Sequence, residues 1–192
     1  MTGMKTLMLL LAAGVWLVGA HDVTAQTLLM KLDPASGLDF TGDSVLSGHA
    51  GEINVSSFSL GLANPAAVGG GGSGTPEFSD ITIEKPVDRS SVSLASACAM
   101  GAVIPKGRIF MLKTSGGGGG SIPVLYEVGF EDGFVTGVSV SGANGDGPPT
   151  ESVSIKFTKV TWTYYPQSGA NTDPITKGWD VEHNVSYDTK IE

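Results

Sequence analysis

The chain has a single cysteine, Cys98, so an intramolecular disulfide is excluded and stability has to come from core packing or from assembly. Set in an apolar run of small residues, that thiol reads as a buried hydrophobe rather than a reactive group. Basic residues are scarce as well: 11 lysines and arginines stand against 19 aspartates and glutamates, for a formal net charge of −8. Phosphate backbones and anionic lipid surfaces repel such a chain, which argues against nucleic acid and membrane partners. Histidine is nearly absent. His49 and His183 are far apart and stand alone, so neither a zinc site nor a catalytic triad is indicated. The acidic loop holding Asp33, Asp39 and Asp43 lacks the spacing of a calcium loop and reads as a solvated turn.

Glycine is plentiful, at 28 residues, with runs at 69–72 and 116–120. A phosphate-binding loop needs a lysine after the glycines and a helix N-terminus behind them. The first run leads instead to Thr75, Pro76 and a strand pattern, and the second lies between two strands. Serine is common, but no G-x-S-x-G elbow occurs, and Glu131 and Asp132 before Gly133 read as a hydrated turn rather than half of a glycosidase pair. No residue is nominated for catalysis and no cofactor is implied. The reading is a protein that is not an enzyme.

Residues 1–25 have the layout of a secretory signal peptide: a cation at Lys5, an apolar run over 7–20, and small residues at Val23 and Ala25. The run is shorter than the roughly 20 residues a membrane span requires. Cleavage is expected after Ala25, with Ala20 as the alternative site. One domain, 26–192, then folds in the periplasm or outside the cell.

Most of that domain alternates with a period of two. Half-buried antiparallel strands are expected over 27–33, 79–85, 107–115, 124–130, 134–142 and 175–184, with glycine, proline, asparagine and aspartate between them. Two segments exchange their apolar phase partway. In one, Val153, Ile155 and Phe157 give way to Val160, Trp162 and Tyr164; in the other, Ile53 and Val55 give way to Phe58, Leu60 and Leu62. A strand that changes its buried face carries a bulge or bends from one sheet into another, as small barrels do at their corners. The expected fold is therefore mainly β, a closed or nearly closed antiparallel β-barrel. One short flanking α-helix is expected over 88–101, capped by Ser90 or Ser91, with Leu94, Ala95 and Cys98 on one stripe and Gly101 ending it in a left-handed conformation.

The order of these pieces resembles the haemolysin-coregulated protein (Hcp) family, the tube subunit of type VI secretion systems. The resemblance rests on the phase-switching strand at 51–62, the glycine-rich loop after it, the I-x-K-x-[ILV]-D-like element at 83–88, the F-x-K-V-x-[WV]-x-Y-like run at 157–165 and the K-G-W-D element at 177–180. It implies a barrel assembled as a hexameric ring with an open lumen, rings stacking into a tube that carries secreted effector proteins and meets other components of the secretion machine. In such a ring the loop with Asn64, Val68, Gly70, Gly72 and Thr75 would project to touch an adjoining subunit or ring, and Ser57 and Ser59 would face the lumen. The signal peptide departs from the family pattern, in which the subunit leaves the cytoplasm through the machine itself. Either the chain is an exported relative or its start lies further on, near Met30; the complete three-part signal favours export. The alternative is an exported monomeric β-barrel binding module, an adhesin or carbohydrate-binding domain, presenting Trp162, Trp179 and Tyr165 as an aromatic platform.

Overall fold

The computed structural model describes residues 26–65, 74–113, 122–145, 147–167 and 172–192; the expected signal peptide lies outside them. The chain is mainly β with one helix. Strand β1 (Gln26–Leu32) pairs antiparallel with β2 (Ile53–Val55) on one edge and with β7 (Val103–Lys113) on the other. β7 pairs with β8 (Val124–Ser141), β8 with β10 (Lys159–Tyr164), β10 with β11 (Ile175–Asp180) and β11 with the short β12 (Val185–Ser186). This main path, β12-β11-β10-β8-β7-β1-β2, is open. Off it, β3 (Ser57–Ser59) pairs with β6 (Ile81–Pro86), β6 with β9 (Thr150–Lys156), and β9 with the distal part of β8. A separate two-stranded ribbon is made by β4 (Leu62–Ala63) and β5 (Glu77–Phe78).

Residues 124–141 form one strand of 18 residues, β8, where the alternation alone predicts two strands and a turn. Asp132 adopts φ +51° within it, a kink that turns the strand without ending it. Ahead of the kink one edge of β8 pairs with β10, up to Glu131 against Lys159; beyond it the same edge pairs with β9, from Phe134 against Lys156. The partner chain breaks at the same level. Thr158, between β9 and β10, donates its N–H to the Glu131 carbonyl at 3.1 Å and its hydroxyl to Asp132 Oδ2 at 3.0 Å. Glu131 and Asp132 are thus part of a strand junction rather than a hydrated turn. That junction is also why the apolar phase of 151–165 switches: β9 buries Val153 and Ile155, and β10 restarts with Val160 buried.

The other phase switch has the same cause. β2 and β3 are separated by Ser56 alone; β2 pairs with β1, whereas β3 pairs with β6. The inner faces of both regions feed one core of Met30, Ile53, Ile81, Ile83, Ile104, Ile109, Phe130, Val153 and Ile155, among others. Each such side chain contributes on the order of 1.5–3 kcal/mol by leaving water. The expected strand at 175–184 is shorter than its pattern: β11 ends at Asp180, whose carboxylate accepts the His183 N–H at 2.9 Å and turns the chain.

Helix α1 (Ser90–Met100) packs against this core through Leu94 and Ala97, with Cys98 half-buried beside them. Ala95, expected on that stripe, is exposed. Gly101 ends the helix at φ +63°, ψ +36°, as its position predicts. Neither serine stands at the N-cap: Arg89 does, without a side-chain cap bond, and Asp88 before it accepts the Ser90 N–H on its Oδ1 at 2.9 Å.

Candidate functional site

The surfaces that bear on function are built from three sets of residues. The first is the stem of the glycine-rich loop. Gly61 and Ser79 lock its base, with Ser79 N–H donating to the Gly61 carbonyl at 3.0 Å and Gly61 N–H donating to Ser79 Oγ at 2.7 Å. Leu62 then pairs with Phe78 and Ala63 with Glu77, so the ribbon delivers Asn64 and Thr75 to an exposed end. Val68, Gly70 and Gly72 lie outside the described residues. Beneath the stem a groove of about 430 Å³ is lined by Leu62, Pro76, Phe78, Trp162 and Trp179, with Asn64 and Asn184 at its polar end. Phe78 stacks on Trp162 with ring centroids 6.3 Å apart, and the Trp179 indole N–H is buried without a hydrogen-bond partner. Trp162 and Trp179 are therefore together, as the platform expectation asks. Tyr165 is not with them: its hydroxyl donates to Glu127 at 2.6 Å.

The second set is a polar face. In antiparallel register Ser57 stands opposite Glu84, Ser59 opposite Thr82, Thr82 opposite Ser154, Glu84 opposite Ser152, and Ser152 opposite Ser139. Partners in register share a face, so β3, β6, β9 and β8 carry one outward surface of serine and threonine with Glu84 on it, and Lys156 and Phe134 stand at its end. Ser57 and Ser59 are exposed on it. The opposite face of the same strands is the core.

The third set is a buried ion cluster at the helix N-terminus. Lys85 follows Ile81 and Ile83 on the inward phase of β6 and is wholly buried; Glu151 precedes Val153 on the inward phase of β9, directly opposite it. The Lys85 ammonium donates to Glu151 Oε1 at 2.7 Å, Asp88 Oδ1 at 2.8 Å, the Pro86 carbonyl at 2.9 Å and Ser91 Oγ at 3.2 Å. Ser91 in turn donates to Glu151 Oε1 at 2.8 Å. The cluster ties α1 to the sheet. One lysine faces two carboxylates, and Asp88 Oδ2 and Glu151 Oε2 are left buried without a hydrogen-bond partner. Sequence reasoning reached Lys85 and Asp88 only as letters of a motif; the burial of Lys85 and Glu151 follows from each standing on the apolar parity of its own strand.

Across the molecule, the outer face of β8, β10 and β11 is covered by the C-terminal segment. Gly129, Thr161 and Gly178 align in register and form a shallow trough. A Cβ at Gly178 would run into the Tyr187 carbonyl, and one at Gly129 would crowd Ile191, which is 1% exposed. This close approach accounts for the glycine of the K-G-W-D element. Lys190 lies beside Glu127 and Tyr165; burial pulls its ammonium down, but the Tyr165 hydrogen bond and the Glu127 charge outweigh that and hold it above its ordinary value. Burial, together with the hydrogen bond to Glu127, pushes the Tyr165 phenol up.

This mainly β chain with one flanking helix shares its fold with type VI secretion proteins. A model of the family "Type VI secretion system effector, Hcp" matches residues 29–164, and the chain belongs to that family. It is 31% identical to protein hcp1 of Pseudomonas aeruginosa over 109 residues, 55% of this chain and 65% of that one; the match thus spans somewhat less than two thirds of that relative. Among solved structures it resembles Hcp1 of Salmonella typhimurium, with TM-score 0.69 and 25% identity over 85% of this chain and 99% of that one. It also resembles a structure described as a type six secretion system protein, with TM-score 0.73 and 26% identity over 85% of this chain and all of that one.

Proposed function

We propose that the chain is a ring and tube subunit that works by assembly and transport rather than by chemistry. The family match over 29–164 carries this reading. In it, the strands close into a barrel: from β8 through β9, β6 and β3, across Ser56 into β2, and on through β1 and β7 back to β8. The Ser56 N–H, which donates to the Glu84 carbonyl at 2.7 Å, supports closure at that corner. Six copies form a ring with an open lumen, lined by the face of Ser57 and Ser59. A lining of small hydroxyls with the Glu84 carboxylate among them is wettable and offers little apolar surface to adhere to, so it lets varied secreted effector proteins pass without holding them. The stem presents the loop with Asn64, Val68, Gly70, Gly72 and Thr75 to an adjoining subunit or ring.

Export by the signal peptide at 1–25 would release domain 26–192 into the periplasm or beyond, away from the cytoplasmic loading of the machine. The exported copy then builds rings for a separate use. A second reading, an exported monomeric binding module, is favoured by the groove of Phe78, Trp162 and Trp179. Light scattering after size exclusion, with negative-stain images of the same fraction, separates the readings. Six-fold rings support assembly; a monomer at high concentration overturns it in favour of the binding module.

A further inference from the structure

Beside α1 lies a second groove, of about 510 Å³, walled by Val87, Val92, Ala95, Ala99, Val138 and Val140 and lined at its base by Ser91 and Glu151. Its walls are apolar and open: Val92 is 74% and Val140 62% exposed. Its base is a buried carboxylate. Glu151 Oε1 is engaged by Lys85 and Ser91, while Oε2 is buried and has no partner. A buried charged oxygen left unpaired is costly, and the cluster around it has one lysine for two carboxylates. The groove therefore suits an occupant that is apolar on its flanks and cationic at its tip.

This chain carries such a feature elsewhere. Val103 on β7, Phe134 on β8 and Lys156 on β9 stand in one register row. Val103 and Phe134 are exposed apolar side chains, and Lys156 is exposed with no ion-pair partner among the described residues. Resting on the assembly reading above, we propose that the row of Val103, Phe134 and Lys156 of one copy docks into the α1 groove of the next. The lysine stem lies along the valine walls and its ammonium meets Glu151 Oε2. The two patches differ, so the contact is heterologous and propagates head to tail, which gives a ring when the rotation closes. Alanine and serine on the exposed side of α1 allow the close approach this requires.

The test uses the purified protein and exposed positions that leave the fold intact by circular dichroism. Val140→Glu spoils the socket and keeps the plug; Lys156→Glu with Phe134→Ser spoils the plug and keeps the socket. Each variant alone is expected at the mass of a single chain in light scattering. Mixed in equal amounts they are expected to form a two-chain species and nothing larger, because one good socket and one good plug remain between them. Wild type that assembles while Val140→Glu also assembles overturns this contact and leaves the ring reading standing. A mixture that stays at single-chain mass overturns the choice of plug. Wild type that is itself a single chain overturns both the contact and the ring reading.

Discussion

The two flanks of β8 treat exposed surface in opposite ways. On the outer face of its first half, the chain folds its own C-terminal segment back: Ile191 fills the trough over Gly129, and Lys190 and Tyr187 meet Glu127 and Glu131. At its far end, Val140 is left exposed beside α1, with Val138 half-buried next to it. The first region is covered by the chain itself and serves stability, although Glu127 Oε1 there is also buried without a hydrogen-bond partner, 3.8 Å from the Arg108 guanidinium. The second is complete as a fold and incomplete as a surface, since an exposed apolar wall is what a monomer ordinarily covers. The open face is the one to which the proposed contact between copies is assigned.

The largest effect is expected where the open region is anchored. Lys85→Met removes the cation between Glu151 and Asp88 and strands both carboxylates, at a cost of about 3–5 kcal/mol in urea unfolding. Adding Glu151→Met and Asp88→Asn to it should recover much of that loss. If the single substitution costs under 1 kcal/mol, the cluster does not hold α1.

On the sealed side, Ile191→Ala is expected to cost about 2 kcal/mol, near the low end for a buried aliphatic because a terminal segment can settle into the gap. Gly178→Ala, which drives a methyl into the Tyr187 carbonyl, should cost about 1–3 kcal/mol. Both should leave the assembly mass unchanged, and a loss of assembly in either would erase the distinction between the flanks. Val92→Glu sharpens it from the other side, with a stability change within about 0.5 kcal/mol, as for an exposed position, and assembly lost.

The smallest effect is electrostatic and concerns the turn after β11. The His183 backbone N–H holds the Asp180 carboxyl below its ordinary value of 3.8. Because the folded value is depressed, the ionised form stabilises the fold fully above 3.8, and that contribution fades as the pH falls below 3.8 through the lower folded value. Asp180→Asn keeps an acceptor for His183 but loses the charge. Wild type should therefore exceed it in stability at neutral pH and lose that margin in acid. A margin that stays constant with pH would exclude the charge as its source.

Alternation along the chain made the strands legible, and the two phase switches marked where the chain leaves one neighbour for another. Lys85 and Glu151 were legible in principle, since each stands on an apolar parity of its own strand, but reading them as a pair requires knowing that β6 and β9 are adjacent. The junction at Glu131 and Asp132 was hidden because a kinked continuous strand and a turn share the same glycine and aspartate. The helix stripe was misread at Ala95, because alanine is as content outside as in. The C-terminal cover left no pattern: a single isoleucine after a polar run says nothing of the trough that receives it.

The continuity of β8 also bears on the order in which the protein folds. Its partners β7, β9 and β10 all come from residues 103–164, so their ladders close short loops, whereas β1 must find β7 across a separation of some eighty residues. Loop-closure entropy favours the nearer pairings first. β8 is thus expected to nucleate folding and β1 to dock late, so that Phe130→Leu slows folding while Leu29→Ala mainly speeds unfolding. A chain held open at β1 would keep its central strands intact, and the edge that waits for β1 would be the last part of the protein to become native.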